Sequence, residues 1–373
     1  MRSVIALVLL LLTCSTQAFA SDNEEERATV ARVVETAGKA YLSKKGAGGL
    51  SVAVVSGDNT YFHSFGPLTP PGLPAATELT VYEVGSLTKT LTGLLLAHAI
   101  AEGLVRLDDD IRTHLKGDYP NLVFDGQPIT LLHLANMTSA LPDNLPPRSK
   151  DEDSPFARAK RLESYSREDF FRALHQVKLI SKPGESPGHS NAASELLGYL
   201  LEDLYQKSFA ELVQEKIEKP ARMTAGRAEG AIAASLDEQG DPMPYLTAAA
   251  ARASGGLRYS AKALGGYVRY QLKEGDGAIK LTHKPNWKTL DGATGIGFYW
   301  IWSATTPAGR RLRYSGGTFG FASFLDLYPD RQLGIVVLTN GADDSTQDGI
   351  QRLSEEIVAA LPKAERPTVG QRN

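Results

Sequence analysis

An α+β fold is predicted here: one antiparallel sheet built from both ends of the chain and flanked by helices, with a mostly helical insertion between. Three observations predict it. Strand-like runs punctuated by tight-turn residues occur soon after the N-terminus, similar runs return near the C-terminus, and the middle of the chain is dominated by helical patterning.

Taken in order, residues 1–20 read as a secretory signal. Arg2 precedes the apolar run Val4 to Leu12, and Ala18-Phe19-Ala20 forms a small-x-small cleavage pattern before Ser21. That run falls short of the roughly 20 apolar residues a bilayer span needs, and no later segment qualifies. The expectation is therefore export, to the periplasm or beyond, with no transmembrane segment. Cys14 is the single cysteine, so cleavage after Ala20 leaves a mature chain without disulfide or thiolate chemistry. Thr13 before Cys14 is a poor fit to a lipoprotein box, which favours soluble export over a lipid anchor.

A helix is expected over about 24–42. Leu50 to Val55, a Gly57-Asp58-Asn59 turn and Tyr61 to Phe65 read as a hairpin. Further strands are expected at Arg311 to Tyr314, Phe321 to Tyr328 and Leu333 to Thr339, the last two joined by a Pro329-Asp330-Arg331 turn. A helix from about Ser345 to Leu361 closes the chain, with Ile350, Leu353, Ile357 and Ala360 on one face. The Pro-rich, charged stretch from Leu141 to Tyr165 reads as a long surface loop bordering a cleft. Residues 21–373 are expected to form a single domain, with a sheet lobe at about 24–80 and 295–361 and a helical lobe at about 86–290.

Composition narrows the functional classes. The chain has 373 residues, of which 42% are hydrophobic and 22% charged, as in an ordinary globular protein with a large core. A formal net charge of -3, with no basic stripe or tail, gives no phosphate-binding surface and argues against a nucleic-acid partner. The seven histidines are scattered, with no H-E-x-x-H and no cysteine knot, so no metal site is expected. His98 and His133 are expected to pack or to cap helices. Trp287, Trp300 and Trp302 read as core or rim packing rather than as a substrate pocket. The Asp108-Asp109-Asp110 run reads as solvated and non-catalytic.

The chemistry concentrates at Ser86-Leu87-Thr88-Lys89. Residues three apart on a helix share a face, so the Lys89 amine can reach the Ser86 hydroxyl, which is a weak nucleophile without an adjacent base. Val81 to Gly85 before it reads as a strand and Thr90 to Leu96 after it as a helix. Ser86 is thereby placed at a helix N-terminus, where backbone N–H groups favour developing negative charge. A competing serine, Ser190 in Gly188-His189-Ser190-Asn191-Ala192, nearly matches G-x-S-x-G. Such an elbow needs a buried strand before it, and Ser181-Lys182-Pro183-Gly184-Glu185-Ser186-Pro187 cannot be one.

Together these residues resemble the penicillin-binding-protein-like, class C β-lactamase-like serine hydrolases over nearly all of the mature chain. Beyond Ser86 and Lys89 the resemblance rests on Gly103 to Asp109, Ile129 to Leu134 with Thr138 to Pro142, and Pro183-Gly184-Glu185 with Ser190-Asn191. It continues through Ile217, Pro220 and Met223, then Ser254-Gly255-Gly256-Leu257, Gly295 to Phe298, and Ser315 to Phe321. The resemblance implies a β-lactamase/transpeptidase-like fold, an acyl-enzyme on Ser86 and no cofactor. It also implies a small-molecule or peptide substrate, cell-wall-derived compounds included.

Two of the family's motifs are altered. Where the family carries Tyr-x-Asn this chain has His189-Ser190-Asn191: Asn191 is kept to orient Lys89 and the substrate, and His189 stands in for a proton-shuttling phenol. An imidazole suits that role, having an ordinary pKa near 6.5. Where the family carries Lys-Thr-Gly or His-x-Gly this chain has Tyr314-Ser315-Gly316, so the strand cation that helps hold a substrate carboxylate is missing. That loss favours an ester or amide without a free carboxylate beside the scissile bond, with Tyr314, Ser315, Gly316 and Gly317 lining the substrate. By carry-over, the backbone N–H groups of Ser86 and Gly317 form the oxyanion hole. The leading expectation is an exported serine hydrolase acting on an ester or amide. The alternatives are a β-lactamase or D,D-carboxypeptidase, and a non-catalytic muropeptide- or antibiotic-binding protein.

Overall fold

Val, Ile and Leu fill both faces of the strand Leu333–Asn340 (β12), which is buried along its whole length, because helices cover the sheet on each side. The computed structural model describes residues 24–45, 48–67, 75–149, 154–179, 181–223, 231–246, 251–343 and 345–362. The signal sequence expected at 1–20 lies outside them, and among the described residues no helix is long and apolar enough to cross a membrane.

The sheet has eight strands, all antiparallel to their neighbours. The N-terminal hairpin is Leu50–Ser56 (β1) and Asn59–Phe65 (β2), and β1 lies against β12 with Leu50 opposite Thr339 and Ala53 opposite Val336. From β12 the sheet continues through Phe321–Tyr328 (β11), Gly309–Gly317 (β10), Ile301–Thr306 (β9), Thr294–Ile296 (β8) and Trp287–Lys288 (β7). Strands β7 to β9 lie beyond those expected from the sequence, and they carry the sheet back to Trp287.

Alternation assigns the faces. Leu50, Val52, Val54, Ile335 and Val337 pack with a helix over 24–42 (α1) and with Thr346–Ala360 (α10). On α10, Ile350, Leu353 and Ile357 are buried as their spacing predicts, but Ala360 is exposed and Val358 is buried instead. On the other face Ala53, Val55, Leu325, Leu327, Val336 and Leu338 join the core of the helical lobe.

That lobe is organised around Thr88–Ala101 (α2), a helix apolar nearly all round and buried accordingly. Around it lie Leu131–Ala135 (α3), Pro155–Glu163 (α4), Arg167–Leu174 (α5), Asn191–Tyr205 (α6), Phe209–Val213 (α7), Ala261–Leu272 (α8) and Gly277–His283 (α9). Two short antiparallel pairs complete it, Val81–Glu83 (β3) with Arg258–Ser260 (β6) and Val123–Phe124 (β4) with Gln127–Pro128 (β5). The expectation of a loop throughout Leu141 to Tyr165 is corrected by α4: Ser154 caps it by accepting from the Ala157 N–H, and Pro155 opens its first turn.

Candidate active site

Ser86 sits in a single tight turn, Gly85–Leu87, between β3 and α2. Gly85 holds φ +51°, and a Cβ there would lie 2.5 Å from the Gly317 nitrogen, so only glycine fits. Gly316 is pressed on the same turn from the sheet side: its Cβ would fall 2.1 Å from the Val84 carbonyl oxygen and 2.7 Å from the Ser86 nitrogen. The end of β10 and the serine turn are therefore in backbone contact, which puts the Ser86 and Gly317 amides side by side. Two side chains clamp this arrangement. Ser323 donates to the Val84 carbonyl at 2.7 Å, and Gln347 on α10 donates to the Gly316 carbonyl at 2.6 Å.

Lys89 lies one turn into the helical segment and is fully buried. Its Nζ donates to Asn191 Oδ1 at 2.6 Å and to the Ser254 carbonyl at 2.7 Å, and stands 2.9 Å from Ser86 Oγ. Burial pushes its pKa down to about 7, opposed by the negative charges of Glu195 and Asp143. A neutral amine has two N–H donors and one lone pair. With both donors taken by fixed carbonyls, the lone pair is left facing the Ser86 hydroxyl.

The two carbonyls are held from α6. Asn191 and Glu195 occupy the same face one turn apart. Asn191 donates to Asn144 Oδ1 at 2.9 Å, which turns its own Oδ1 toward Lys89. Glu195 accepts from the amides of Ala253 and Ser254 and from the Ser254 hydroxyl, at 2.8–2.9 Å, fixing the carbonyl that meets Lys89. Burial raises the Glu195 pKa.

His189 stands just before α6. Its Nδ1 is 2.7 Å from Asp143 Oδ1 and its Nε2 is 3.4 Å from Ser86 Oγ. The carboxylate holds the ring proton on Nδ1 in the neutral ring, leaving Nε2 as an acceptor toward the serine. Asp143 is kept below the usual carboxylate range, chiefly by the His189 hydrogen bond. Its segment is tied to α6 because the Asp143 carbonyl accepts from the Asn191 and Ala192 amides. Ser190 caps α6 instead of reacting, since its Oγ accepts from the Ala193 amide and donates to the Pro142 carbonyl.

Ser86, His189, Asn191 and Gly317 all line one cavity of about 300 Å³, with Lys89 buried beneath. Tyr314 is not among its lining residues. It points from β10 into the core, 5% exposed, with its hydroxyl 3.8 Å from Met137 Sδ, so it forms no part of the cavity wall. Ser315 is exposed and also does not line the cavity. Gly316 acts through its carbonyl and its closeness to Ser86.

The other residues singled out in the sequence sit away from this chemistry. His133 completes a capping box with Thr130, and His98 is half-buried on α2. Trp300 is fully buried edge-on to His283, and Trp287 and Trp302 are partly covered. Asp110 caps a short turn and pairs with Arg112. Among the described residues no group of three His, Cys, Asp or Glu side chains is placed to hold a metal ion. Three parts of the site, Asp143, Glu195 and Ser254, were missed by sequence reasoning. Asp143 directly follows the Thr138 to Pro142 landmark, and the unusual histidine at 189 was the only hint that a carboxylate partner was needed.

Residues 27–358 match the family model described as Beta-lactamase. The D-alanyl-D-alanine-carboxypeptidase/endopeptidase AmpH of Escherichia coli is 24% identical over 97% of this chain and 98% of its own length. Among solved structures, a Beta-lactamase/D-alanine Carboxypeptidase from Yersinia pestis, complexed with citrate, superposes with a TM-score of 0.74 at 21% identity, covering 88% of this chain and 98% of that one. A class C beta-lactamase superposes with a TM-score of 0.76 at 18% identity, covering 91% and 98%.

Proposed function

The chain belongs to the β-lactamase family, and from that premise we propose that it is an exported serine hydrolase that cleaves an ester or amide through an acyl-enzyme on Ser86. The observation that carries this reading is the fully buried Lys89 amine, with Nζ 2.9 Å from Ser86 Oγ and its pKa drawn down to about 7 by burial. A lysine in that state is a base at neutral pH.

In the proposed cycle Ser86 Oγ attacks the carbonyl carbon and its proton passes to Lys89. Negative charge gathers on the carbonyl oxygen between the Ser86 and Gly317 amides, an electrostatic contribution of the kind that is commonly the largest in acyl transfer. Lys89 returns that proton to the leaving group by way of His189 Nε2, which Asp143 keeps open to accept it, as the carbonyl–leaving-group bond breaks, so both bases are neutral again. Water then attacks the acyl-serine, giving up its proton to His189 or Lys89, and Ser86 leaves with a proton restored.

A narrower reading, a D,D-carboxypeptidase or β-lactamase, is favoured by the names of the relatives. Against it stands Tyr314, which offers no cation at the strand position where the family has one. Export rests on the Arg2 to Ala20 pattern.

The deciding experiment is intact-mass spectrometry of the mature protein after exposure to a fluorophosphonate, a penicillin and a short-chain activated ester, with Ser86→Ala as control. Adducts that vanish in Ser86→Ala, together with ester turnover, are expected. No Ser86-dependent adduct with any probe would overturn the hydrolase and leave a muropeptide- or antibiotic-binding protein.

A further inference from the structure

The cavity over Ser86 has a charged wall that no sequence motif signals. Arg148, Arg158 and Arg161, from the segment between Asp143 and Glu163, line it together with Asn144, Leu145 and Leu162. Three arginines thus line one cavity of a chain whose net charge is -3. Glu195 is the one carboxylate among the described lining residues, and it is buried and committed to the 253–254 backbone and the Ser254 hydroxyl.

The arginines differ in role. Arg161 Nη2 donates to the Pro147 carbonyl at 2.9 Å and so ties α4 to the preceding loop. Arg148 is exposed and Arg158 half-buried, and no carboxylate among the described residues pairs with either. A planar guanidinium presents paired N–H donors that match a carboxylate in two parallel hydrogen bonds. The mutual repulsion of cations held around one cavity is relieved when an anion binds there.

We propose that the Ser86 cavity selects substrates bearing a carboxylate, held by Arg148 and Arg158 from the helical-lobe side. This rests on the hydrolase reading above and names its substrate class. It also revises the inference drawn from the missing strand cation: a carboxylate is excluded beside β10 but accepted at the far end of an acyl or leaving group that extends toward α4. About 300 Å³ accommodates a short chain of that kind.

The test compares two activated esters of similar length, the p-nitrophenyl hemiester of glutarate and p-nitrophenyl valerate. In the native protein kcat/KM for the hemiester should exceed that for the neutral ester by about tenfold or more, and the ratio should shrink when salt is raised from about 0.01 M to 0.5 M, since screening weakens such contacts. The double variant Arg148→Gln/Arg158→Gln should bring the ratio to about one. Arg172→Gln, on α5 and paired with Asp169, should leave it as it was.

A native ratio near one, or a ratio untouched by the double variant, overturns the proposal. If neither ester is turned over, the hydrolase reading has failed, and the arginine site is then read by binding alone. In Ser86→Ala, glutarate but not the neutral diamide glutaramide should raise the melting temperature, and that rise should vanish when Arg148→Gln/Arg158→Gln is added. Absence of any glutarate effect overturns the site independently of catalysis.

Discussion

Asp143 Oδ1 lies 2.7 Å from Nδ1 of His189, although the two residues are 46 positions apart. With Ser86 Oγ 3.4 Å from the other ring nitrogen, this chain places a serine, a histidine and an aspartate in series on a scaffold that already supplies a serine–lysine pair. The pair is about half exposed, at 46% and 54%, so it contributes little to stability. Its effect is to set the tautomer and aim of the ring, which is what a histidine needs in order to take over a proton-shuttling position.

Replacing Asp143 with Asn tests that role. An amide can donate to Nδ1, which moves the ring proton to Nε2 and points a donor, not an acceptor, at Ser86. We expect kcat to fall by about 10²- to 10⁴-fold with KM little changed. Because Asp143 acts through His189, the double variant Asp143→Asn/His189→Ala should be no slower than His189→Ala alone. Additive losses in steady-state kinetics would refute the coupling.

Lys89 makes two pH predictions. Its amine must be neutral to take the Ser86 proton, so kcat/KM should rise with pH through about 7 and level off above it. Asp143 raises the Lys89 pKa, so Asp143→Asn should move this limb toward lower pH. For stability the sign is the same: the folded pKa near 7 is below the unfolded value of about 10.4, so between them the unfolded chain holds the extra proton. Native stability relative to Lys89→Met should therefore increase by on the order of 2–3 kcal/mol from about pH 6.5 to about pH 9. Parallel denaturant titrations of the two proteins at those pH values check it, and parallel curves would rule it out.

Much of the fold is legible because its signals are local. The hairpin at β1 and β2, the strands β11 and β12 and the final helix each announce themselves by alternation, turn residues or 3.6-residue spacing. The short strands β7 and β8, at one end of the sheet, carry too few residues for a period. Helix α4, Pro155-Phe156-Ala157-Arg158-Ala159-Lys160-Arg161-Leu162-Glu163, buries only Ala159 fully, so no apolar stripe marks it. At the site, Ser86 with Lys89 is readable from spacing. The Ser254 carbonyl is not, since a backbone acceptor has no residue signature, and Asp143 gains meaning only once the fold brings it to His189.

Tyr314 provides a prediction against the family pattern. Restoring a lysine by Tyr314→Lys would look like recovery of the missing strand cation. The site at 314 is 5% exposed and faces Met137 and the core of the helical lobe, so the ammonium would be buried without a partner. We expect a loss of about 3 kcal/mol in stability and no gain in nitrocefin hydrolysis. A variant of native melting temperature with new β-lactamase activity would show that the strand can present this side chain to the cavity after all.

Gly316 and Gly317 are adjacent, yet they should respond oppositely to one added methyl group. At Gly316 a Cβ meets only backbone, at 2.1 Å from the Val84 oxygen, 2.7 Å from the Ser86 nitrogen and 2.8 Å from the Leu87 nitrogen. Nothing there can rotate away, and Ser323 and Gln347 hold β10 against the turn from the other side. Gly316→Ala must therefore part the two segments that carry the Ser86 and Gly317 amides. Losing alignment of one such donor typically costs about 10²- to 10³-fold. At Gly317 a Cβ meets Gln347 Nε2 at 3.2 Å, the movable end of a side chain, and the Phe321 oxygen at 3.5 Å. Gly317→Ala keeps the amide and should retain fluorophosphonate labelling within about tenfold of native, while Gly316→Ala should lose at least about 10²-fold and melt lower. Equal labelling rates for the two variants would mean that the strand end is free to move, and that the amide of Gly317 is not held in register with Ser86.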